Sequence, residues 1–385
     1  MTDTDQLRRL LRGRWHPEAQ RPALSGSIDW DQLCHCAEAE RVAPLLYDLL
    51  RERQGVPRAA LDRLHRQYRI TTLHHVMWSA ALAKVAAALA AARLPAIVLK
   101  GAMLAGQVYE QPALRPLADL DVLVRRESVT QVLAVLNECG YQHELSDTTS
   151  DLALSVESEM TLQSRTRLGV AVDLHWSLFN VPFYRQALPM DWFWESARPM
   201  PGYPGALMLG PEALLLHLTA HLALHHLGEG VLWLCDIAEV LRRYRSEIDW
   251  TLVVERARAF HLALALRQTL ERAAAELGAD VPGDVRDRLA GLRASPAERR
   301  AAAVINAGYS LGQRFWIDMF ASTSWGARLA YFGARMFPSL TYMQHRYGVT
   351  HRVLIPLCYP YRWFLGCHHL ITTLRSRGRG NARPA

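Results

Sequence analysis

Two periodicities alternate along this chain. Apolar residues recur three or four apart through 29–50 (DWDQLCHCAEAERVAPLLYDLL) and again through 59–94, which ends in AALAKVAAALAAARL, so residues 1–95 predict a helical lead-in. At Pro95 the period changes. AIVLK at 96–100 is a short β-branched run, and GAMLAGQVY reads as a helix opening directly after Gly101. QPALRPLAD is a proline-bearing loop, LDVLV a strand, and ESVTQVLAVLNECG a helix stopped by Gly140. Residues 155–176 (SVESEMTLQSRTRLGVAVDLHW) read as two strands joined by a turn near Leu168 and Gly169. A proline-rich loop over 182–211 follows, and helical spacing returns over 212–330. The pattern predicts an α+β chain: a strand-bearing core over 96–195, the lead-in before it, a helical domain over 196–330, and a C-terminal helical segment with a basic tail over 331–385.

Composition sharpens this in three places. A chain of 385 residues, half of them hydrophobic, can bury a sizeable core, and at about 150 residues per domain it predicts two or three units. The formal charge of +7 favours a polyanionic partner such as a nucleotide, a nucleic acid or a membrane surface, but the excess is too mild to be a nucleic-acid-binding signature. Of the 44 basic residues only Lys84 and Lys100 are lysines, which singles out Lys100 beside Gly101. The six cysteines (Cys34, Cys36, Cys139, Cys235, Cys358, Cys367) are scattered through apolar patterns without metal-knuckle spacing and read as core thiols of a reducing compartment. With an N-terminus lacking an apolar signal core, the expectation is a cytoplasmic protein. Segment 353–374 is apolar, yet Pro356, Pro360, Arg362, His368 and His369 argue against a spanning helix. The first expectation there is a helix docked on the core; the second is weak peripheral contact with anionic lipid through Arg375, Arg377 and Arg379.

The candidate chemistry lies in the strands. Side chains two apart on a strand share a face, so Asp119 and Asp121 project together while Leu120, Val122 and Val124 point to the other side. In VAVDLHW the same alternation sends Val170, Val172, Leu174 and Trp176 to the core and leaves Asp173 and His175 opposite. If these strands are neighbours, three carboxylates converge, and such a group repels itself unless a cation such as Mg²⁺ sits among it. Two such ions roughly 3.5–4 Å apart stabilise the attacking and leaving oxygens of a phosphoryl displacement. Alone, the Asp-x-Asp tripeptide reads equally as a turn cap and a solvent-facing strand residue. Lys100 and Gly101 upstream change that: a glycine at a strand-to-helix junction lets backbone amides approach a triphosphate, Lys100 adds a point charge, and Arg115 can grip phosphate with both arms.

The run LKGAMLAGQVYEQPALRPLADLDVLV, with VDLHWSLF downstream, resembles the uncharacterised nucleotidyltransferase family of the polymerase-β superfamily, in its branch with a Lys-Gly element, an Arg before paired aspartates, and an Asp/Glu-Leu-His-Trp strand. RVAPLLYDLL and LHLTAHLALHHLGEGVLWLCDIAEVL extend the resemblance over residues 30–250. It implies a small mixed β-sheet catalytic core flanked by helices, two Mg²⁺ ions, and transfer of a nucleoside monophosphate from an NTP, expected to be ATP, to an unidentified acceptor: a small molecule, a protein or RNA. Position by position, Asp119, Asp121 and Asp173 match the metal carboxylates, and Lys100, Gly101 and Arg115 the phosphate-side elements. One departure is Gly101-Ala102 where the superfamily carries Gly-Ser or Gly-Gly, with Asp119 eighteen positions past Gly101. The lost hydroxyl keeps open a catalytically inactive nucleotide-binding module, and the basic balance a toxin-like enzyme acting on tRNA 3′ ends.

Other residues have plainer readings. His217, His221 and His225 form one helical stripe with His226 beside it; three cannot share an ion across about 12 Å of helix rise, so packing against the core, or lining the acceptor or base pocket, is the expectation. Asp236, in an apolar helix, needs an Arg or His partner, with a general-base role as the alternative. His175, beside the third carboxylate, reads as an orienting group rather than a base.

Overall fold

The computed structural model describes residues 2–15, 24, 28–143, 154, 157–166, 169–306, 325–338, 340–349 and 351–365. The chain forms two compact units, Met1–Gln142 with Glu159–Ala303, and His143–Ser158 with Val304–Ala385.

In the first unit the helical lead-in comprises α1 (Asp3–Leu11), α2 (Trp30–Ala39), α3 (Ala43–Leu50) and α4 (Arg58–Ala91). Their starts are set locally. Thr2 and Asp5 close a capping box on α1, and the Asp29 carboxylate accepts from the Gln32 amide at the head of α2. Among the described residues α4 alone is long and apolar enough to cross a bilayer by length and composition. It is also tied to the core: the Tyr68 hydroxyl donates to Gln111, His75 meets the Arg115 carbonyl at 3.0 Å, and the Trp78 indole donates to the Asp119 carbonyl at 3.1 Å.

The sheet is seven-stranded and mixed, in the order β3-β4-β5-β2-β1-β7-β6. Its strands are β1 (Ala96–Val98), β2 (Leu120–Val124), β3 (Tyr141–His143), β4 (Glu159–Ser164), β5 (Val172–His175), β6 (Arg198–Pro199) and β7 (Ala206–Met208). β1 and β2 are antiparallel, whereas β2 and β5 run parallel with Leu120 opposite Val172 and Asp121 opposite Asp173. This is the α+β mixed sheet flanked by helices that the sequence predicts. The LDVLV strand and the hairpin of β4 on β5 form as expected; the expected turn residue Leu168 lies outside the described residues. β6 and β7 fall where the pattern reads only a loop, because strands of two and three residues are too short to show a period. Gly205 lets that hairpin close against α4: its φ is +86° and a Cβ there would meet Ala90 Cβ at 2.3 Å.

The connecting helices are α5 (Lys100–Gln107), α6 (Val129–Glu138), α7 (Pro182–Ala187) and α8 (Met190–Glu195), followed by α9 (Pro211–His225) and α10 (Val231–Arg243). Both α9 and α10 are buried along most of their length, and α10 brings two carboxylates inside. Glu239 is matched by Arg14, which also reaches Asp48 at 3.1 Å, and by Arg242 at 2.7 Å. Five helices, from α11 (Trp250–Ala259) and α12 (Ala263–Arg272) through α13 (Gly283–Ala290) and α14 (Pro296–Asn306) to α15 (Trp325–Met336), complete the run before α16 (Leu340–Tyr347).

In the second unit, α15, α16 and a helix over 355–365 are described, with Met343 and Ile355 buried. The Trp363 indole donates to the Met336 carbonyl at 2.8 Å, and Phe337 meets Trp363 edge-on at 5.2 Å.

Removing Glu239 leaves the Arg14 guanidinium buried beside weaker partners, so Glu239→Ala lowers stability by about 3 kcal/mol in urea unfolding. An unchanged midpoint counts against a structural role for this network.

Candidate active site

Three backbone features assemble the site. The Leu99 amide donates to the Asp121 carbonyl at 3.0 Å, the chain leaves β1 through Lys100 in the left-handed region (φ 41°), and α5 starts there. A lysine held at positive φ is strained backbone of the kind that collects at functional positions. Its ammonium lies 2.8 Å from Asp121 Oδ1. From β5, His175 Nε2 approaches the same oxygen at 2.8 Å, and its Nδ1 lies 3.0 Å from Glu159 Oε2 on β4. Glu159, His175, Asp121 and Lys100 thus form one chain of alternating charge. Burial alone would raise the Asp121 carboxyl; Lys100 and His175 overcome it and hold the group well below the usual carboxylate range. Burial and Lys100 push His175 down, but the bonds to Asp121 and Glu159 prevail and raise it. The orienting role expected of His175 matches this geometry. Glu159 was not legible beforehand, since its link to the site runs only through the antiparallel pairing that sets it opposite His175.

Asp119, Asp121 and Asp173 each offer an oxygen, and these lie within 4.8 Å of one another, the single such cluster among the described residues. Burial, then the charges of Asp121 and Asp173, raise the Asp119 carboxyl. Asp173 Oδ1 is buried without a hydrogen-bond partner. A hard, all-oxygen donor set with one orphaned buried oxygen and mutual repulsion fits a divalent cation of the Mg²⁺ type.

Arg115 is placed differently from the expectation. Instead of presenting its guanidinium to a phosphate, it clasps Asp236, with Nη2 2.8 Å from Oδ2 and Nε 3.2 Å from Oδ1, and its Nη1 donates to the Pro116 carbonyl. The Tyr109 hydroxyl donates to the same Asp236 at 2.7 Å. Physically, the α10 carboxylate is inside an apolar helix and takes the nearest guanidinium, which fulfils the need for a partner and leaves no route for Asp236 to act as a base. Gly101 sits directly over this clasp, since a Cβ would lie 2.7 Å from Arg115 Nη1 and 2.8 Å from Leu117 Cδ2. Its glycine is required by close approach of the ion pair.

Arg41 is the cation that sequence reasoning missed. It is half-buried, with φ 60°, and its guanidinium has no hydrogen-bond or ion-pair partner among the described residues. Burial and then the like charge of Arg115 lower it, while Asp119 and Asp236 attract it. It opens the RVAPLLYDLL stretch that shares in the resemblance, but nothing in that stretch marks it as a site residue; the packing of the lead-in on the core reveals it.

The histidine stripe lies within the electrostatic reach of Lys100. His217 and His221 are pushed well below the ordinary imidazole value by burial and then by the Lys100 charge, and His225 and His226 fall to about 4 for the same reasons. Both ring nitrogens of His217, Nδ1 of His221 and Nε2 of His225 have no partner, while His221 and His226 meet at 3.1 Å through their Nε2 atoms and His226 stacks on Trp233.

The mixed sheet thus brings three carboxylates together, with a lysine at the head of the adjoining helix. The chain belongs to a family described as uncharacterised nucleotidyltransferase, whose sequence profile matches residues 26–278. No curated protein and no solved structure matches it.

The unfolded chain protonates its histidines near pH 6.5, whereas the folded chain keeps His217 and His221 neutral. Stability is therefore whole above pH 6.5 and falls below it, by about 1.4 kcal/mol per pH unit for each fully buried histidine. His217→Leu flattens the fall between pH 6.5 and 5 in denaturant titrations; an unaltered slope refutes this reading.

Proposed function

We propose that this chain is a Mg²⁺-dependent nucleotidyltransferase that transfers a nucleoside monophosphate from an NTP, with ATP as donor, to a hydroxyl-bearing acceptor. The reading rests on one observation: three carboxylates within 4.8 Å, one with a buried unpartnered oxygen, beside a lysine at the start of a helix. Asp119, Asp121 and Asp173 hold the metal, which when bound neutralises phosphate charge and orients the reacting oxygens. Asp121 is divided in use. Its Oδ1 is taken by Lys100 and His175, and Oδ2 is the oxygen that would be left to help Asp119 and Asp173 hold the metal. Glu159 keeps His175 in place from behind.

On the phosphate side, Lys100 supplies positive charge and the first amides of α5 a helix N-terminus, while Arg41 takes the gripping role that Arg115 does not fill. Arg115 and Asp236 form the support under Gly101. A second reading, a nucleotide-binding module without turnover, draws on Ala102, which is buried at the helix start where a hydroxyl contact would be made.

Asp119→Asn and Asp121→Asn each reduce transfer from labelled NTP by about a thousandfold or more. Asp119→Asn also raises the melting temperature in EDTA, because it removes repulsion among the three carboxylates. Transfer that persists in the folded double variant overturns the assignment; wild-type binding of Mg²⁺-ATP in calorimetry with no turnover on small-molecule, protein and RNA acceptors selects the inactive module.

The two arginines separate cleanly. Arg41→Ala weakens Mg²⁺-ATP binding about tenfold with the fold unchanged, whereas Arg115→Ala strands Asp236 and costs about 3–5 kcal/mol of stability. The reverse pattern in calorimetry and urea unfolding restores the phosphate role to Arg115.

A further inference from the structure

The charge of this protein is unevenly distributed. From residue 319 to 385 there is no aspartate or glutamate and there are nine arginines, which leaves 35 basic against 37 acidic residues in the first 318. The whole basic excess therefore belongs to the C-terminal segment. Its described helices are apolar on the wrong side for a soluble unit. Along α15, Trp325 (74 % exposed), Leu329 (69 %) and Phe332 follow one another at spacings of four and three, a single outward stripe. The turn and helix over 352–365 repeat the arrangement: Val353 (87 %), Leu357 (68 %), Tyr361 and Phe364 face outward, while Ile355 is buried within the unit and Trp363 is tied inward to Met336. Inner and outer faces of the same helix are both apolar, so the outer one is not the residue of an unformed core.

We infer that this segment docks on the surface of an anionic lipid bilayer. Aromatic and aliphatic stripes on short helices, flanked only by arginine and histidine, have the composition that inserts at the interface between headgroups and acyl chains. Charge complementarity selects the occupant. A second copy would add nine more arginines to a segment without a single carboxylate to answer them, and a nucleic acid would meet the arginines but leave the Leu, Val and Phe stripes in water. The face belongs to the second unit and the carboxylates and Lys100 to the first, so the inference does not rest on the proposed transfer reaction.

The test is sedimentation of the full chain with phosphatidylcholine vesicles and with vesicles that also contain phosphatidylglycerol. Binding at least tenfold stronger to the anionic vesicles, and declining with added salt, is expected. Leu357→Glu with Tyr361→Glu reduces it to the level of neutral vesicles. In case that pair disturbs the unit, Arg346→Glu on α16, which leaves both stripes intact, reduces it about fivefold or more. Circular dichroism verifies the fold of each variant. Equal sedimentation with neutral and anionic vesicles, or none with either, overturns the inference. So does a lipid-free dimer split by the Leu357 variant, which makes a second copy the occupant, and so does retention on RNA without retention on vesicles.

Discussion

The parallel pairing of β2 with β5, in the register that sets Asp121 opposite Asp173, is the constraint on which the site depends. A slip by one residue would turn Asp173 and His175 into the core and carry Val172 and Leu174 out to the site, so the hydrophobic pattern of β5 and the carboxylate geometry enforce each other. The same register brings His175 beside Asp121 and, through β4, Glu159 behind His175. Three strands thus deliver Asp121, Asp173, Glu159 and one imidazole, and the loop residue directly before β2 adds Asp119. The strained Lys100 is then explicable: β1 runs antiparallel to β2, and a left-handed turn immediately after it is what directs the ammonium back onto Asp121.

Buried charge is arranged in two separate sets. Asp236, Arg115 and Tyr109 satisfy one another with no oxygen or guanidinium nitrogen aimed at the carboxylate cluster, and they act as a rigid base under Gly101. The carboxylate cluster is left deliberately unsettled by comparison. Asp119 is raised by its neighbours, Asp173 has an orphaned oxygen, and Arg41 stands half-buried without a partner. A self-satisfied set supplies stability, and an unsatisfied one retains free energy for a ligand to recover.

Much of this was legible in the chain, for identifiable reasons. Asp119, Asp121 and Asp173 stood out because alternation with buried Val and Leu fixes which face a strand residue occupies, and the helical spacing of 212–225 placed the histidines on one stripe. What escaped were facts of tertiary contact. Arg115 and Asp236 are 121 positions apart, so the pairing of this guanidinium with Asp236 could not be read from the chain. Arg41 opens a stretch that shares in the resemblance and Glu159 lies in a strand outside its quoted motifs; neither is marked as a site residue there, and their relevance comes from packing. The histidines were legible as a face but not as neutral groups, since that depends on burial and on the ammonium of Lys100.

The distribution of charge separates two tasks that a net figure of +7 conflates. Over residues 1–318 acidic groups slightly outnumber basic ones, so no long-range field of that segment draws in a polyanion. On the proposed reading, attraction for a triphosphate would have to come from groups near the carboxylates, namely Lys100, Arg41, the head of α5 and any cation the three aspartates would hold, where low dielectric makes each contact strong and salt screens it little. Exposed arginines of the C-terminal segment, such as Arg346 on α16, act at longer range, in the regime that salt weakens. A basic isoelectric point in this chain is thus a property of its end rather than of its active site, and it carries no information about whether the acceptor is itself an anion.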